Sequence, residues 1–323
     1  MSTTALIFDR DAVEEVADWS DHVGRLRRSS ILWIDLDNPS EDEIRELVDG
    51  LGLDGTSAER LSSDDDQPYF GDFGTHLHVR AFAPSGNGKG RTQLAKIDCV
   101  VAERWVVTVH DRPVAVLDDF RELTEGSGEI GRLDGPEFLA DVLEWVLTAY
   151  LSAFDGLEDS LEEFDARAME GRFDDLDAEL RRLVEFRQEV GRLRRAIVSH
   201  REMFLALTRP EIEAITSSAH ADRFDALRSR LENVIQAARD SRDSVVVSFD
   251  VLNARTEQRT NEVVKVLTLG SLLLLPGALI AGIFGMNFKL AVFENNAYFW
   301  IVLALMVAVA LATVGAARAR RWI

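Results

Sequence analysis

Gly285, Met286 and Asn287 stand near the end of an uncharged run of 23 residues, 266–288, and place an amide side chain and backbone carbonyls at the tip of an apolar segment. A small divalent cation gives up its water reluctantly, so neutral oxygens of this kind suit contact with a hydrated ion better than direct ligation. Alternating steps of three and four lead back from this tip through Gly282, Ala278, Leu275, Ser271, Thr268, Val264 and Asn261. Such steps keep to one side of a helix, so small and polar residues form a stripe while Leu272, Leu274, Leu279 and Ile283 fall on other faces. The stripe suits close helix packing or contact with water. Val264 and Leu275 then read as apolar constrictions able to close by dewetting, and the run contains no carboxylate.

The element that positions these residues is a membrane helix. A second uncharged run, 295–317, is also 23 residues, and at about 1.5 Å per residue each run crosses a hydrocarbon core of about 30 Å. Backbone groups in lipid must be satisfied within their own segment, so a helical hairpin is predicted. Arg255, Arg259 and Lys265 precede it and Arg318, Arg320 and Arg321 follow it, whereas the connection carries only Lys289 against Glu294. The basic ends place both termini in the cytoplasm, with Phe293, Tyr298, Phe299, Trp300 and Trp322 as interfacial anchors. One hairpin cannot enclose a path, so several copies must surround an axis.

Upstream, 211–269 contains no Gly or Pro. Phe224, Leu227, Leu231, Val234 and Ala238 form a ridge that Val245, Phe249 and Leu252 continue. One helix over about 218–284 is predicted, roughly 100 Å long, as a ring-forming stalk leading into the membrane. Before it, 138–147 carries an apolar helical face behind Pro136, and periodic sequence at 155–163 and 180–205 predicts two antiparallel helices. The first third alternates strand signals at 31–36, 76–82, 96–102 and 105–109 with a capped helix opening at Ser40 and Glu43.

The chain has 323 residues and a formal charge of −20; five basic and two acidic residues after 260 leave −23 on the first 260. That surplus argues against nucleic acid and for cations or a basic surface. Cys99, the single cysteine, reads as a buried thiol in a reducing compartment, and no signal peptide is evident in the first nine residues. His76 and His78 share a strand face but lack a third soft ligand. The glycines of 86–90 lack the ending of a phosphate loop, and His110 with Asp111 lacks a nucleophile motif. No enzyme is predicted.

At 260–288 the chain resembles the CorA family of divalent-metal transporters. The resemblance rests on Thr260-Asn261-Glu262-Val263-Val264-Lys265-Val266-Leu267-Thr268, Pro276, and Gly282-Ile283-Phe284-Gly285-Met286-Asn287-Phe288. Weaker similarity covers 33–36, 96–110 and 320–323. The resemblance implies an α+β membrane protein: a cytoplasmic α/β domain (1–130), cytoplasmic antiparallel helices (131–217) and a stalk helix (218–262). A pore-lining first membrane helix (263–287), an outer loop (288–296), a second membrane helix (297–317) and a basic tail (318–323) follow, in a funnel-shaped homopentamer of the inner membrane.

It further implies channel-like uptake of hydrated Mg²⁺, with Co²⁺ or Ni²⁺ as further cargo, and no organic cofactor. Gly285, Met286 and Asn287 become the selectivity filter, Asn261 the inner polar ring, and Arg318, Arg320 and Arg321 the cytoplasmic mouth. Regulatory Mg²⁺ would use carboxylates such as Asp222, Asp225, Asp64, Asp65 and Asp66, although a solvated loop suits Asp64 to Asp66 better and exposed helix surface suits Asp222 and Asp225 at least as well. The chain departs from the family at Phe284, where Tyr is usual, at Val264 for Met and at Ala278 for Thr. Zinc transport on the same architecture, or a membrane-anchored acidic sensor or scaffold without transport, are the alternatives.

Overall fold

The computed structural model describes residues 2–9, 12–27, 30–85, 92–114, 117, 134–170, 175–215, 218–286 and 296–319. The chain divides into two compact units, Met1–Ala166 with Phe173–Ser248, and Arg167–Arg172 with Phe249–Ile323.

The first unit is built on a seven-stranded sheet. Its strands are β1 (Ser2–Asp9), β2 (Ala12–Glu15), β3 (Ile31–Asp37), β4 (Tyr69–Asp72), β5 (Leu77–Ser85), β6 (Gln93–Val101) and β7 (Trp105–His110), in the order β2-β1-β3-β7-β6-β5-β4. Among the described residues only β3 and β7 pair in parallel. β3 is apolar at Ile31 to Ile34 and at Leu36 because both its faces are covered. Ile31 and Trp33 point into the larger core, Leu32, Ile34 and Leu36 into the smaller one. The smaller core lies under α1 (Glu41–Leu51) and includes Leu61 of α2 (Gly55–Leu61). α1 opens on the capping box expected from sequence, Glu43 accepting the Ser40 amide at 2.7 Å, and closes on Gly52 at φ 63°.

On the other face lie α3 (Gly135–Met169), α4 (Leu176–Ser199), α5 (Arg201–Leu207) and the first part of α6 (Ser218–Gly285). Phe224, Leu227, Leu231, Val234 and Ala238 of α6 join the same core as Phe138, Val142, Val146 and Tyr150 of α3. The ridge read from the sequence is therefore buried within the subunit. Polar ties follow it. Arg223 pairs with Asp141, Arg230 with Glu144 and Thr148, Ser241 with Glu158 and Ser248 with Asp165, all 82–86 residues apart, so α3 and α6 run parallel there.

The helical pattern of 180–205 is split at His200 by the sheet. β4 pairs with β5 only as far as Arg80, and beyond that end the Phe82 N–H donates instead to His200 Nε2 at 2.9 Å. His200 Nδ1–H donates to the Ala196 carbonyl at 2.8 Å, so the fully buried ring is held neutral. Burial lowers its pKa from 6.5 to about 4, against the raising effect of its backbone bonds. The folded value is depressed, so the stability this ring contributes is present above pH 6.5 and is lost as the pH falls through about 4. The total amounts to about 3 kcal/mol. Urea denaturation from pH 7.5 down to 4.5 is expected to show a steeper acid loss for wild type than for His200→Gln; parallel curves would refute the assignment.

The second unit contains the distal part of α6 and α7 (Asn296–Ala319). Both helices are long and apolar enough to span a membrane, with only 0% and 6% of their most apolar windows buried.

Candidate ion path and cation-binding clusters

The distal half of α6 meets α7 on one side. Leu269, Pro276, Gly277 and Ile280 are half-buried, and a Cβ added at Gly277 would lie 3.3 Å from Met306 Cε. The stripe falls on the opposite side at 100° per residue. Asn261, Val264, Ser271, Leu275, Ala278 and Gly282 are all exposed and Thr268 is half-buried. Leu275 is 66% and Val264 52% accessible, so α7 does not cover the residues that packing alone would hide.

Within the stripe the two hydroxyls have a fixed sense. Thr268 Oγ1 donates to the Val264 carbonyl at 2.7 Å and Ser271 Oγ to the Leu267 carbonyl at 2.9 Å. Their protons are spent on the helix, and their lone pairs remain as acceptors facing outward. α6 ends at Gly285, where the Met286 amide donates to the Ile283 carbonyl at 3.3 Å, and Met286 is exposed. Asn287, Arg320 and Arg321 lie outside the described residues, as do the glycines of 86–90; Arg318 is exposed near the end of α7.

The acidic candidates are scattered. Asp222 and Asp225 are exposed on α6, Asp225 lying 3.5 Å from Arg228. Asp64 and Asp66 are exposed beyond α2, and Asp65 is held by Arg60 at 2.7 Å. The one three-ligand group among the described residues is a different set: Asp134, Glu137 and His220, whose ligating atoms lie within 4.8 Å of one another. Sequence reading missed it because His220 is remote in the chain from the two carboxylates. A groove lined by Glu158, Glu162, Asp165, Asp240 and Asp243 adds further negative charge, and Asp165 Oδ1 there is buried without a hydrogen bond.

The histidines serve the sheet. Ser57 Oγ lies 2.8 Å from His78 Nδ1, and His78 Nε2 lies 3.0 Å from Asp98, an arrangement with the composition of a nucleophile relay. All three are 0% exposed, and the Arg80 guanidinium engages both Asp98 oxygens, so a substrate has no access. His110 sits between Asp35 at 3.3 Å and Asp37 at 3.5 Å. Burial pulls its pKa down, but the bond and charge of Asp35 outweigh this and leave it raised. His76 stacks on Phe73 rather than sharing a ligand with His78.

The family model for CorA-like Mg²⁺ transporter proteins matches residues 28–314. The chain belongs to that family. CorA-family proteins are divalent-cation transporters rather than a class of enzymes, and this chain is one of them. It is 22% identical over 297 residues to the cobalt/magnesium transport protein CorA of Methanocaldococcus jannaschii, covering 91% of this chain and 92% of that one. The complete structure of the CorA magnesium transporter from the same organism superposes over 100% of both chains, with a TM-score of 0.79 and 19% identity. The full-length CmaX protein matches 99% of this chain and 97% of its own, with a TM-score of 0.74 and 20% identity. These likenesses establish the CorA fold of an α/β domain, a long helix and a C-terminal apolar helix.

Proposed function

We propose that five copies surround an axis with the α6 stripe facing it, and that hydrated Mg²⁺ enters the cytoplasm along that axis down the membrane potential. The observation that carries this reading is the orientation of the stripe: it lies away from α7 and presents hydroxyl oxygens as acceptors. A hydrated cation turns its water hydrogens outward, so acceptors of this kind hold the shell without removing it. No carboxylate stands in 263–286, consistent with passage rather than tight ligation.

In this reading Gly285, Met286 and Asn287 select the ion at the outer end, Val264 and Leu275 narrow the path, and Asn261 rings the inner end. Arg318, Arg320 and Arg321 surround the cytoplasmic mouth, and both termini are cytoplasmic. Co²⁺ and Ni²⁺, with similar octahedral water shells, are further cargo. The acidic first unit draws the ion inward, and cytoplasmic carboxylates, Asp222, Asp225 and 64–66 among them, sense Mg²⁺. About 2.3 kcal/mol per charge per 100 mV drives entry without ATP.

Purified protein in vesicles tests the proposal. An inside-negative potential is expected to accelerate Mg²⁺ entry, and reversing the potential to suppress it. Zn²⁺ entry much faster than that of Mg²⁺ would favour the zinc alternative; no flux from correctly inserted protein would favour an anchored sensor.

A further inference from the structure

We propose that Pro276 and Gly277 form the pivot of the membrane part of α6, and that Met306 on α7 is the positioning residue that sets its bend. Pro276 lies inside the helix, and without an N–H it leaves the Leu272 carbonyl without its ordinary donor. Immediately before it, Thr268 and Ser271 bond back to the carbonyls of Val264 and Leu267, contacts that bend helices. Gly277 follows, the residue with the least steric restriction. Three separate causes of bending therefore fall within 264–277, and the backbone is weakest at 276–277.

One side chain of α7 stands against that point. Of the described glycines in the two spans, Gly270, Gly277, Gly282, Gly285 and Gly315, only Gly277 would bring a Cβ within 4 Å of another side chain, and that neighbour is Met306. Methionine is unbranched and adaptable, so it can follow a changing angle while remaining in contact. Because α7 and the stripe lie on opposite sides of α6, rotation about the pivot toward α7 withdraws Ala278 and Gly282 from the axis. α7 is then a determinant of ion passage as well as an anchor. The link to passage rests on the proposed path along the stripe; the pivot itself does not.

Full-length protein in vesicles, with Mg²⁺ entry and images of the solubilised particle as readouts, tests this. Gly277→Val pushes two methyl groups into the space of Met306 and is expected to slow entry roughly fivefold. Adding Met306→Ala should return the rate to within about twofold of wild type. Met306→Ala alone should raise the rate about threefold, an effect that disappears in a Pro276→Ala background because the straightened helix has no bend to set. Persistence of that effect in Pro276→Ala, or failure of the double variant to recover, would overturn the proposal. If Gly277→Val does not assemble, the Pro276/Met306 comparison decides. If wild type itself passes no ion, the ion-path reading fails instead, and the α6 angle at Pro276 decides the pivot. A change of about 10° or more between wild type and Met306→Ala sustains it, and an unchanged angle overturns it.

Discussion

Vesicles carrying Asn287→Ala are expected to admit no more Mg²⁺ than empty vesicles, while the protein still inserts and assembles like wild type. The Asn287 amide supplies the one side-chain oxygen in Gly285-Met286-Asn287, and alanine removes it from every copy at once. A hydrogen bond involving a charged partner contributes about 1.5–3 kcal/mol, and a hydrated divalent ion polarises its shell in the same sense. In the proposed ring that loss is repeated in each copy and removes the proposed outer site, while the apolar faces of the helices are unchanged. Flux through Asn287→Ala at half the wild-type rate would show that selection occurs elsewhere.

The largest expected effect on stability belongs to Arg80→Met. Arg80 is fully buried, binds both oxygens of Asp98 at 2.8 and 3.0 Å, and donates to Ser63 Oγ and to the carbonyls of Asp65 and Arg60. Removing it leaves a buried carboxylate against one imidazole and costs about 3–5 kcal/mol, a large part of a domain's usual 5–15. The change also removes two of the bonds that hold the segment carrying Asp64, Asp65 and Asp66, those to Ser63 Oγ and to the Asp65 carbonyl. Denaturation midpoints measure it, and Arg80→Met with Asp98→Leu should recover most of the loss, because no unpaired charge then remains. A midpoint within experimental error of wild type for Arg80→Met would contradict the role assigned to the pair.

Much of this was legible in the sequence where the signal is local. Uncharged length marked the spans, Ser40 and Glu43 marked the start of α1, and apolar runs marked β3, β6 and β7. β1 and β2 were missed: the Glu14-Glu15 pair has little strand tendency, and the strand exists because β1 pairs with both β2 and β3. β4 was missed because it is four residues with a central Gly71, ordered by β5. The break at His200 has no Gly or Pro to announce it: the ring Nδ1–H takes the Ala196 carbonyl while the His200 N–H turns to Ile197, and Nε2 accepts from Phe82, 118 residues away. Periodicity showed that Phe224 to Ala238 is a ridge but not whether its partner is another copy or α3. The stripe was legible for the same reason, as spacing on one helix, while its orientation away from α7 required the packing of Gly277 on Met306.

Cysteine accessibility tests most directly whether the stripe faces water. Cys99 is buried, and desolvation raises its thiol pKa far above the usual range, so the wild-type chain should give little background labelling. Single cysteines at Ser271, Leu275 and Ala278 in the assembled, membrane-inserted protein should react with a charged thiol reagent, and Mg²⁺ passage should fall as they do. Cysteines at Leu272, Leu274 and Leu279 should stay unmodified in lipid. Reaction at the second set with protection of the first would place the stripe in a helix contact and contradict the proposed path.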